Sequence, residues 1–237
     1  MTKSDIKAGM NVYRELPTHF FLSSAFALPL IRSLVALALC LEVCFPTDAI
    51  PVKEAIAPRR FIDWCLNQAK LPSQTRHTVA VLLQRAETQD CKQANNILSN
   101  STYLSLDRNQ IADIKPLSSL TNLIELALDN NQIADIKPLS SLTNLTFLAL
   151  DNNQIADIKP LSSLTNLTFL GLGSNQITDI KALSSLTNLI ELALNRNQIT
   201  DIKPLSSLIK LNDLRLEGNQ TLTNKTCPVN PESICNF

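Results

Sequence analysis

The sequence predicts an α/β fold: a solenoid with a parallel sheet, a helical N-terminal cap and a disulfide-stapled C-terminal cap. The first observation is an internal repeat, because LIELALDNNQIADIKPLSSLTN at 123–144 returns almost unchanged from Leu145. The second is a set of asparagines, each 22 residues after the last: Asn109, Asn131, Asn153, Asn175, Asn197 and Asn219. A constant period in this range is typical of coils that stack into one elongated body.

The composition argues against several kinds of partner. The chain of 237 residues carries 21 basic and 21 acidic side chains. No overall field therefore draws it to nucleic acid or to an anionic membrane. Aromatic residues make up only 5% of the chain, so each exposed one carries more weight as a contact.

Residues 1–49 predict a signal peptide or an N-terminal membrane anchor. Two apolar runs, 20–31 and 33–41, flank Arg32, and the second ends near a small-residue site for cleavage after Ala49. A retained helix over 20–41 is long enough to span a bilayer, but Arg32 at its centre costs about 3 kcal/mol. We therefore favour export, which makes the protein secreted, periplasmic or attached to the cell surface. Met1 and Met10 are both candidate starts.

Residues 50–100 predict a helical N-terminal cap, which covers the exposed end of a solenoid. PRRFIDWCLNQAK (58–70) predicts a helix with an apolar face formed by Phe61, Ile62, Cys65, Leu66 and Ala69. TRHTVAVLLQRAET predicts a second helix, capped by Ser73 or Thr75. We expect that helix to bury Val79, Leu82, Leu83 and Ala86. CKQANNILS predicts a third.

The cysteines predict one disulfide in each cap. In an exported protein Cys65 is expected to pair with Cys91, which would stabilise the cap by roughly 3.5 kcal/mol. The alternative is that one of these cysteines is a nucleophile paired with His77, but no acid or asparagine partner is marked. Residues 223–237 form the C-terminal cap, where Cys227 and Cys235 close a short loop worth roughly 2.6 kcal/mol.

Residues 101–222 predict five full coils and a partial sixth. In one coil Leu126 and Leu128 alternate with Glu125 and Ala127, which indicates a short strand with one buried face. Identical strands stack about 4.8 Å apart in a parallel sheet. The asparagine after each strand is expected to bond the backbone of the bend and form a ladder.

The text LxxLxLxxNQIxDIKPLSSLTN resembles the leucine-rich repeat family, in its 22-residue internalin-type class. The preceding FIDWCLNQAKLPSQTRHTVAVLLQRAETQDC resembles the helical lead-in of small cyanobacterial leucine-rich repeat proteins. The resemblance implies a curved, right-handed solenoid with a parallel concave sheet, whose concave strand face binds a protein. The departures are Ser101 for the first Leu, Ala182 for Pro, and Ile209-Lys210 for Thr-Asn.

The outward-facing residues fall into columns spaced by the repeat. The first column is Tyr103, Glu125, Phe147, Phe169, Glu191 and Asp213. The second is Ser105, Ala127, Ala149, Gly171, Ala193 and Arg215. The third is Asp107, Asp129, Asp151, Gly173, Asn195 and Glu217. The fourth is Arg108, Asn130, Asn152, Ser174, Arg196 and Gly218.

Phe147 and Phe169 are predicted neighbours on an exposed face, beside a floor of small residues. Such aromatics are typical of binding hot spots; the alternative is strand propensity in a copied repeat. The predicted protein-binding residues are Tyr103, Glu125, Phe147, Phe169, Glu191, Arg196 and Arg215.

The polar residues indicate binding rather than catalysis. Almost all belong to repeat columns, so we predict no catalytic, cofactor or metal site and no enzyme. A cation that bridges Asp107, Asp129 and Asp151 is one interpretation of the acidic row. The simpler interpretation is that the three carboxylates repel one another and are solvated by water. On the return limbs a row of aspartates runs beside the row of lysines. The two charges offset each other, which argues against a basic surface that binds nucleic acid. The expected partner is a protein, with a surface glycan as the alternative, bound by a monomer. The alternative is a surface adhesion or structural protein anchored by residues 20–41.

Overall fold

The computed structural model describes residues 60–237, so the predictions for residues 1–49 and for 50–59 of the cap lie outside the described residues. The helices are α1 (Phe61–Leu66), α2 (Ser73–Arg85) and α3 (Cys91–Asn100). The strands are β1 (Tyr103–Ser105), β2 (Glu125–Ala127), β3 (Phe147–Ala149), β4 (Phe169–Gly171), β5 (Glu191–Ala193), β6 (Asp213–Arg215) and β7 (Cys235–Asn236). Within this range every helix is too short or too polar to cross a membrane.

Helix α1 is shorter than the sequence predicts. It ends at Leu66, and a 3₁₀ turn at Gln68–Lys70 follows. A helix of six residues presents one face at i, i+3 and i+4, which here is Phe61, Trp64 and Cys65, all buried. The predicted burial of Leu66 is wrong, because its side chain is 67% exposed, and Ala69 is also exposed.

Helix α2 joins the cap to the first coil. Its predicted core residues are all buried: Val79, Leu82, Leu83 and Ala86. Neither Ser73 nor Thr75 caps the helix, so that prediction is wrong. Thr75 instead donates its hydroxyl to the Asp113 carboxylate, and Thr78 donates to the Asp113 carbonyl at 2.7 Å. Both disulfides are present, Cys65–Cys91 and Cys227–Cys235.

The sheet has seven parallel strands in chain order, β1 to β7. Each strand residue pairs with the one 22 positions on through β6, for example Phe147 with Phe169, so the register of the first two predicted columns is confirmed. The last strand was not predicted. It comes from the C-terminal cap and pairs Leu214 with Cys235 and Arg215 with Asn236.

One continuous apolar core runs through all the coils. In the second coil Leu126, Leu128, Ile133 and Leu139 are fully buried. The return limbs contain short 3₁₀ helices: Lys115–Leu117, Lys137–Ser141, Lys159–Ser163, Lys181–Ser185 and Lys203–Ser207. Proline is the second residue of each except the fourth, where Ala182 stands and the 3₁₀ helix still forms.

The aspartates of the return limbs cap these 3₁₀ helices. Asp135 Oδ1 accepts a hydrogen bond from the Lys137 backbone N–H at 2.8 Å, and the same bond recurs in the neighbouring coils. The row of aspartates is therefore structural, and it places carboxylates beside the lysine row on this side of the solenoid.

Candidate functional site

The outward face of β1–β6 and of the bend that follows each strand, here called the sheet face, carries the predicted binding residues. At its centre the rings of Phe147 and Phe169 stack with centroids 4.3 Å apart and planes at 8°. We call these two side chains the aromatic pair. They are half-buried rather than fully exposed as predicted, because each ring covers one face of the other.

A floor of small residues lies next to the aromatic pair along the strands. Ala149 is 4% exposed, and Gly171 is buried beside it. A Cβ at Gly171 would lie 2.5 Å from Asp151 Oδ2, and one at Gly173 would lie 2.7 Å from Asp151 Oδ1. The two glycines therefore leave the space that the Asp151 carboxylate occupies.

The third column is a ladder of carboxylates and backbone amides. Asp107 Oδ1 accepts from the Asp129 N–H at 2.9 Å, and Asp129 Oδ1 accepts from the Asp151 N–H at 2.7 Å. Asp151 Oδ1 accepts from the Gly173 N–H. These carboxylates are structural acceptors rather than a freely solvated row. Across residues 60–237, no group of three or more suitable side chains is arranged to hold a metal ion.

Burial makes this ladder electrostatically unfavourable. It raises the pKa of Asp129 to about 6, and the charges of Asp151 and Asp107 act in the same direction, against the hydrogen bond from the Asp151 amide. Burial also raises the pKa of Asp151, against the Gly173 hydrogen bond and the positive charge of Arg215. The sheet face thus carries carboxylates that water solvates poorly.

The structure brings some of the predicted residues together and leaves others apart. Glu125 lies on the strand before Phe147, and Glu191 lies on the strand after Phe169, so the two glutamates flank the aromatic pair. Tyr103, 61% exposed, lies on β1 beside Glu125.

The two predicted arginines lie toward the other end of the sheet face. The Arg215 guanidinium donates to Asp213 Oδ2 at 2.7 Å, a hydrogen bond that raises the pKa of Arg215. Arg196 occupies the bend after β5 with a φ of 55°. Together with Asp129 and Asp151 they line an open groove of about 390 Å³.

Sequence reasoning missed one apolar column beside the strands. Ile124 and Ile190 directly precede β2 and β5 and are 41% and 39% exposed. The sequence contained a signal for this column. Isoleucine stands at 124 and 190, whereas the two coils between them hold Thr146 and Thr168 at the same position of the repeat. The isoleucines therefore stand on either side of the coils that carry the aromatic pair.

The alternative catalytic pair does not form. Cys65 is bonded to Cys91, so its sulfur is not a free thiolate. His77 Nε2 lies 2.6 Å from the Asn109 carbonyl oxygen, and that contact holds α2 against the first coil. Neither side chain is placed as a nucleophile and its base.

Residues 102–141 and 143–185 match the family model for leucine-rich repeats. The functional domain of InlJ from Listeria monocytogenes, which includes a cysteine ladder, is similar in structure, with a TM-score of 0.57 and 26% identity over 70% of this chain and 34% of that one. Internalin InlF from Listeria monocytogenes is 37% identical over 48% of this chain and 37% of that one, with a TM-score of 0.45. The chain thus spans little more than a third of the length of either structure. No curated protein is significantly similar to it in sequence.

Proposed function

Because this chain is a leucine-rich repeat protein with internalin-type repeats, we propose that it is a non-catalytic module that binds a protein partner through the sheet face. The observation that carries the proposal is the stacked aromatic pair above a floor of small residues. Large, pre-ordered aromatic side chains bury much area at little entropic cost, which is why they are enriched at binding hot spots.

Strand propensity alone accounts poorly for this pair. The same column holds glutamate or aspartate in three of the six coils and phenylalanine only in two adjacent ones. Copying of one coil accounts for the adjacency, since both coils begin LTFL, but it does not account for an aromatic residue where three other coils hold a carboxylate. Ile124 and Ile190 are further exposed apolar side chains, each one residue before a strand.

A capture experiment with matched variants tests this proposal. Phe147→Ser with Phe169→Ser removes the aromatic pair, whereas Asp157→Ala with Lys159→Ala changes exposed residues on a return limb. We expect the wild type and the return-limb variant to recover the same protein from surface extracts of the producing cell, and the double serine variant to lose it. Equal recovery by all three would overturn the proposal.

Treatment of the extract distinguishes a protein partner from a glycan. Protease digestion is expected to abolish capture, and periodate oxidation, which destroys sugar diols, is expected to leave it unchanged. The reverse pattern would assign the sheet face to a surface glycan.

The proposed absence of catalysis is supported by how the polar groups are used. The buried asparagines, the return-limb serines and both aspartate rows bond the backbone of their own or a neighbouring coil. Groups held in this way are not poised to transfer protons or attack a substrate.

We also propose that the protein is exported, which the disulfide in each cap supports because such bonds persist in oxidising compartments. Mass spectrometry of the mature N-terminus in the producing cell tests this. A terminus near Ile50 means release. A terminus at Met1 or Met10 means an anchored surface protein held by residues 20–41.

A further inference from the structure

We propose that the partner presents a lysine or arginine side chain whose aliphatic stem packs beside the aromatic pair and whose charged end binds the Asp151 carboxylate. An apolar neighbour of that residue would then pack on the aromatic pair. This inference rests on the proposed function, since it names the chemistry of the partner that the sheet face recognises.

The geometry of two adjacent strands defines this position. Gly171 follows Phe169 by two residues, a separation of about 7 Å along a strand. The Asp151 carboxylate lies directly over Gly171, because a Cβ there would be 2.5 Å from Oδ2. The aromatic rings therefore stand at one end of a floor that is itself buried, and the carboxylate covers the other end. An amphipathic side chain with an apolar stem can pack against the rings and place its cationic end on the carboxylate.

The Asp151 carboxylate has an unused acceptor. Its Oδ1 accepts from the Gly173 amide, whereas Oδ2 accepts no hydrogen bond from any residue that the structure describes. The positive charge of Arg215 lowers the pKa of Asp151, but the Arg215 guanidinium donates its hydrogen bonds to Asp213. A partly buried carboxylate that lacks a bound cation gains from one, since charge-assisted hydrogen bonds are the strong ones.

The charge of the whole sheet face favours the same partner. In the four outward columns the acidic side chains outnumber the basic ones, although the chain as a whole is neutral. The acidic residues are Asp107, Glu125, Asp129, Asp151, Glu191, Asp213 and Glu217, and the basic ones are Arg108, Arg196 and Arg215. Such a face attracts cationic segments and repels acidic ones. A cation near the face of a phenylalanine ring gains further.

A phage-displayed library of random twelve-residue peptides, selected on the full chain, tests the inference. Selection is run in parallel on the wild type and on Phe147→Ser with Phe169→Ser. We expect the peptides that need the aromatic pair to contain Lys or Arg well above the frequency in the library. Peptides that need the pair but are acidic, or show no basic excess, would overturn this inference and leave the proposed function standing. A selection that yields no pair-dependent peptide would overturn both.

A single substitution then tests the contact with Asp151. Asp151→Asn keeps an Oδ1 acceptor for the Gly173 amide but removes the charge. Asp157→Asn makes the same change on a return limb, where the side chain caps Lys159. By fluorescence anisotropy with the selected peptides, we expect Asp151→Asn to weaken binding at least tenfold and Asp157→Asn to leave it unchanged. Equal affinities for the two variants would show that Asp151 does not receive the basic residue.

Discussion

In five coils a buried asparagine after the strand joins successive coils: Asn131, Asn153, Asn175, Asn197 and Asn219. Asn153 donates to the carbonyls of Leu128 and Leu150 at 3.0 and 3.1 Å, and its Oδ1 accepts from the Ile133 N–H at 3.0 Å. One amide thereby satisfies backbone groups of two coils at a position only 8% exposed. Buried backbone groups need such partners, because water cannot reach them.

Asn153→Ala should lower the free energy of unfolding by about 3 kcal/mol, because it leaves buried donors and acceptors without partners. Guanidinium denaturation followed by circular dichroism measures the change. The matched control is Asn144→Ala, since the exposed Asn144 amide makes one hydrogen bond, to Thr121 at 2.9 Å, and its loss should cost about 1 kcal/mol or less. Similar losses for the two variants would contradict the role given to the buried ladder.

Asp129 is expected to make the folded chain less stable as the pH rises, which is the opposite of the usual effect of an aspartate. Its pKa in the folded chain is about 6, above the ordinary 3.8, so folding favours the protonated form. Its stabilising contribution is therefore complete below the ordinary pKa and is lost as the pH rises through about 6. Because the side chain is only half-buried and solvent screens the effect, we expect about 1 kcal/mol.

Asp129→Asn keeps an acceptor for the Asp151 amide and removes the titration. We expect this variant to be more stable than the wild type by about 1 kcal/mol at pH 7 and to match it near pH 4. Urea denaturation across that range measures the difference. Asp135→Asn is the control, because Asp135 is exposed on a return limb and caps Lys137 in the same geometry as its neighbours. A pH-independent difference between Asp129→Asn and the wild type would refute the assignment.

Among the elements, the C-terminal cap does more than close a loop. Its strand β7 continues the sheet, and the Leu216 N–H donates to the Asn236 carbonyl at 2.7 Å. Leu222 and Val229 are buried against the last coil. The cap therefore covers both the edge of the sheet and the open end of the core, which an uncapped solenoid would leave in water.

Replacing Cys227 and Cys235 together by serine should destabilise the last coil by about 2.6 kcal/mol, the loop-closure entropy of a disulfide of this span. Because each coil contacts only its neighbours, the effect should stay local. Hydrogen exchange measures it: the Leu216 and Leu222 amides should exchange faster, while the Leu150 amide in the third coil should be unchanged. Uniform acceleration along the array would contradict local unfolding.

The first coil shows what happens where the repeat meets a different element. In later coils the second serine of the return limb donates to the coil before it, as Ser141 does to the Ser118 carbonyl at 2.7 Å. Ser119 occupies the same column one coil earlier, and among residues 60–237 its buried hydroxyl has no hydrogen-bond partner. The described part of the helical cap places no acceptor there, so this series of serine hydrogen bonds begins with Ser141.

As a whole molecule the array is a sum of equivalent coils, and one of them can be removed. Deleting residues 145–166 excises one full period and joins coils that already match. We expect a folded protein with cooperative unfolding and lower stability, because one set of neighbour contacts is lost. This deletion also removes Phe147 and places Phe169 beside Glu125, so capture of the partner should fail.

Deleting residues 145–155 is the control for this experiment. It removes half a period, so the strand and return-limb residues that follow no longer meet their equivalents in the preceding coil. Circular dichroism and urea denaturation should show a folded chain for the first deletion and loss of the fold for the second. A folded half-period deletion would mean that the register of the coils is not set by the repeat.

The sequence by itself determined the solenoid, the order and register of six strands, the core residues of each coil and both disulfides. It could do so because the same burial pattern repeats every 22 residues. Residues that lie side by side in adjacent coils are therefore 22 positions apart in the sequence. Cap features that depend on no repeat were harder to predict. The early end of α1, the burial of Trp64 and the addition of β7 each follow from packing against a single unique surface.

Only the tertiary structure decided how the irregular residues of the sheet face meet. The columns placed Phe147 beside Phe169, but stacking of the rings depends on rotamers that the period does not fix. Nor did the columns show that Asp151 turns over Gly171, because that position exists only where two glycines leave room for a carboxylate. The repeat specifies the backbone and the core. The chemistry of the sheet face comes from side chains that vary from coil to coil, and their contacts form only when neighbouring strands pack side by side.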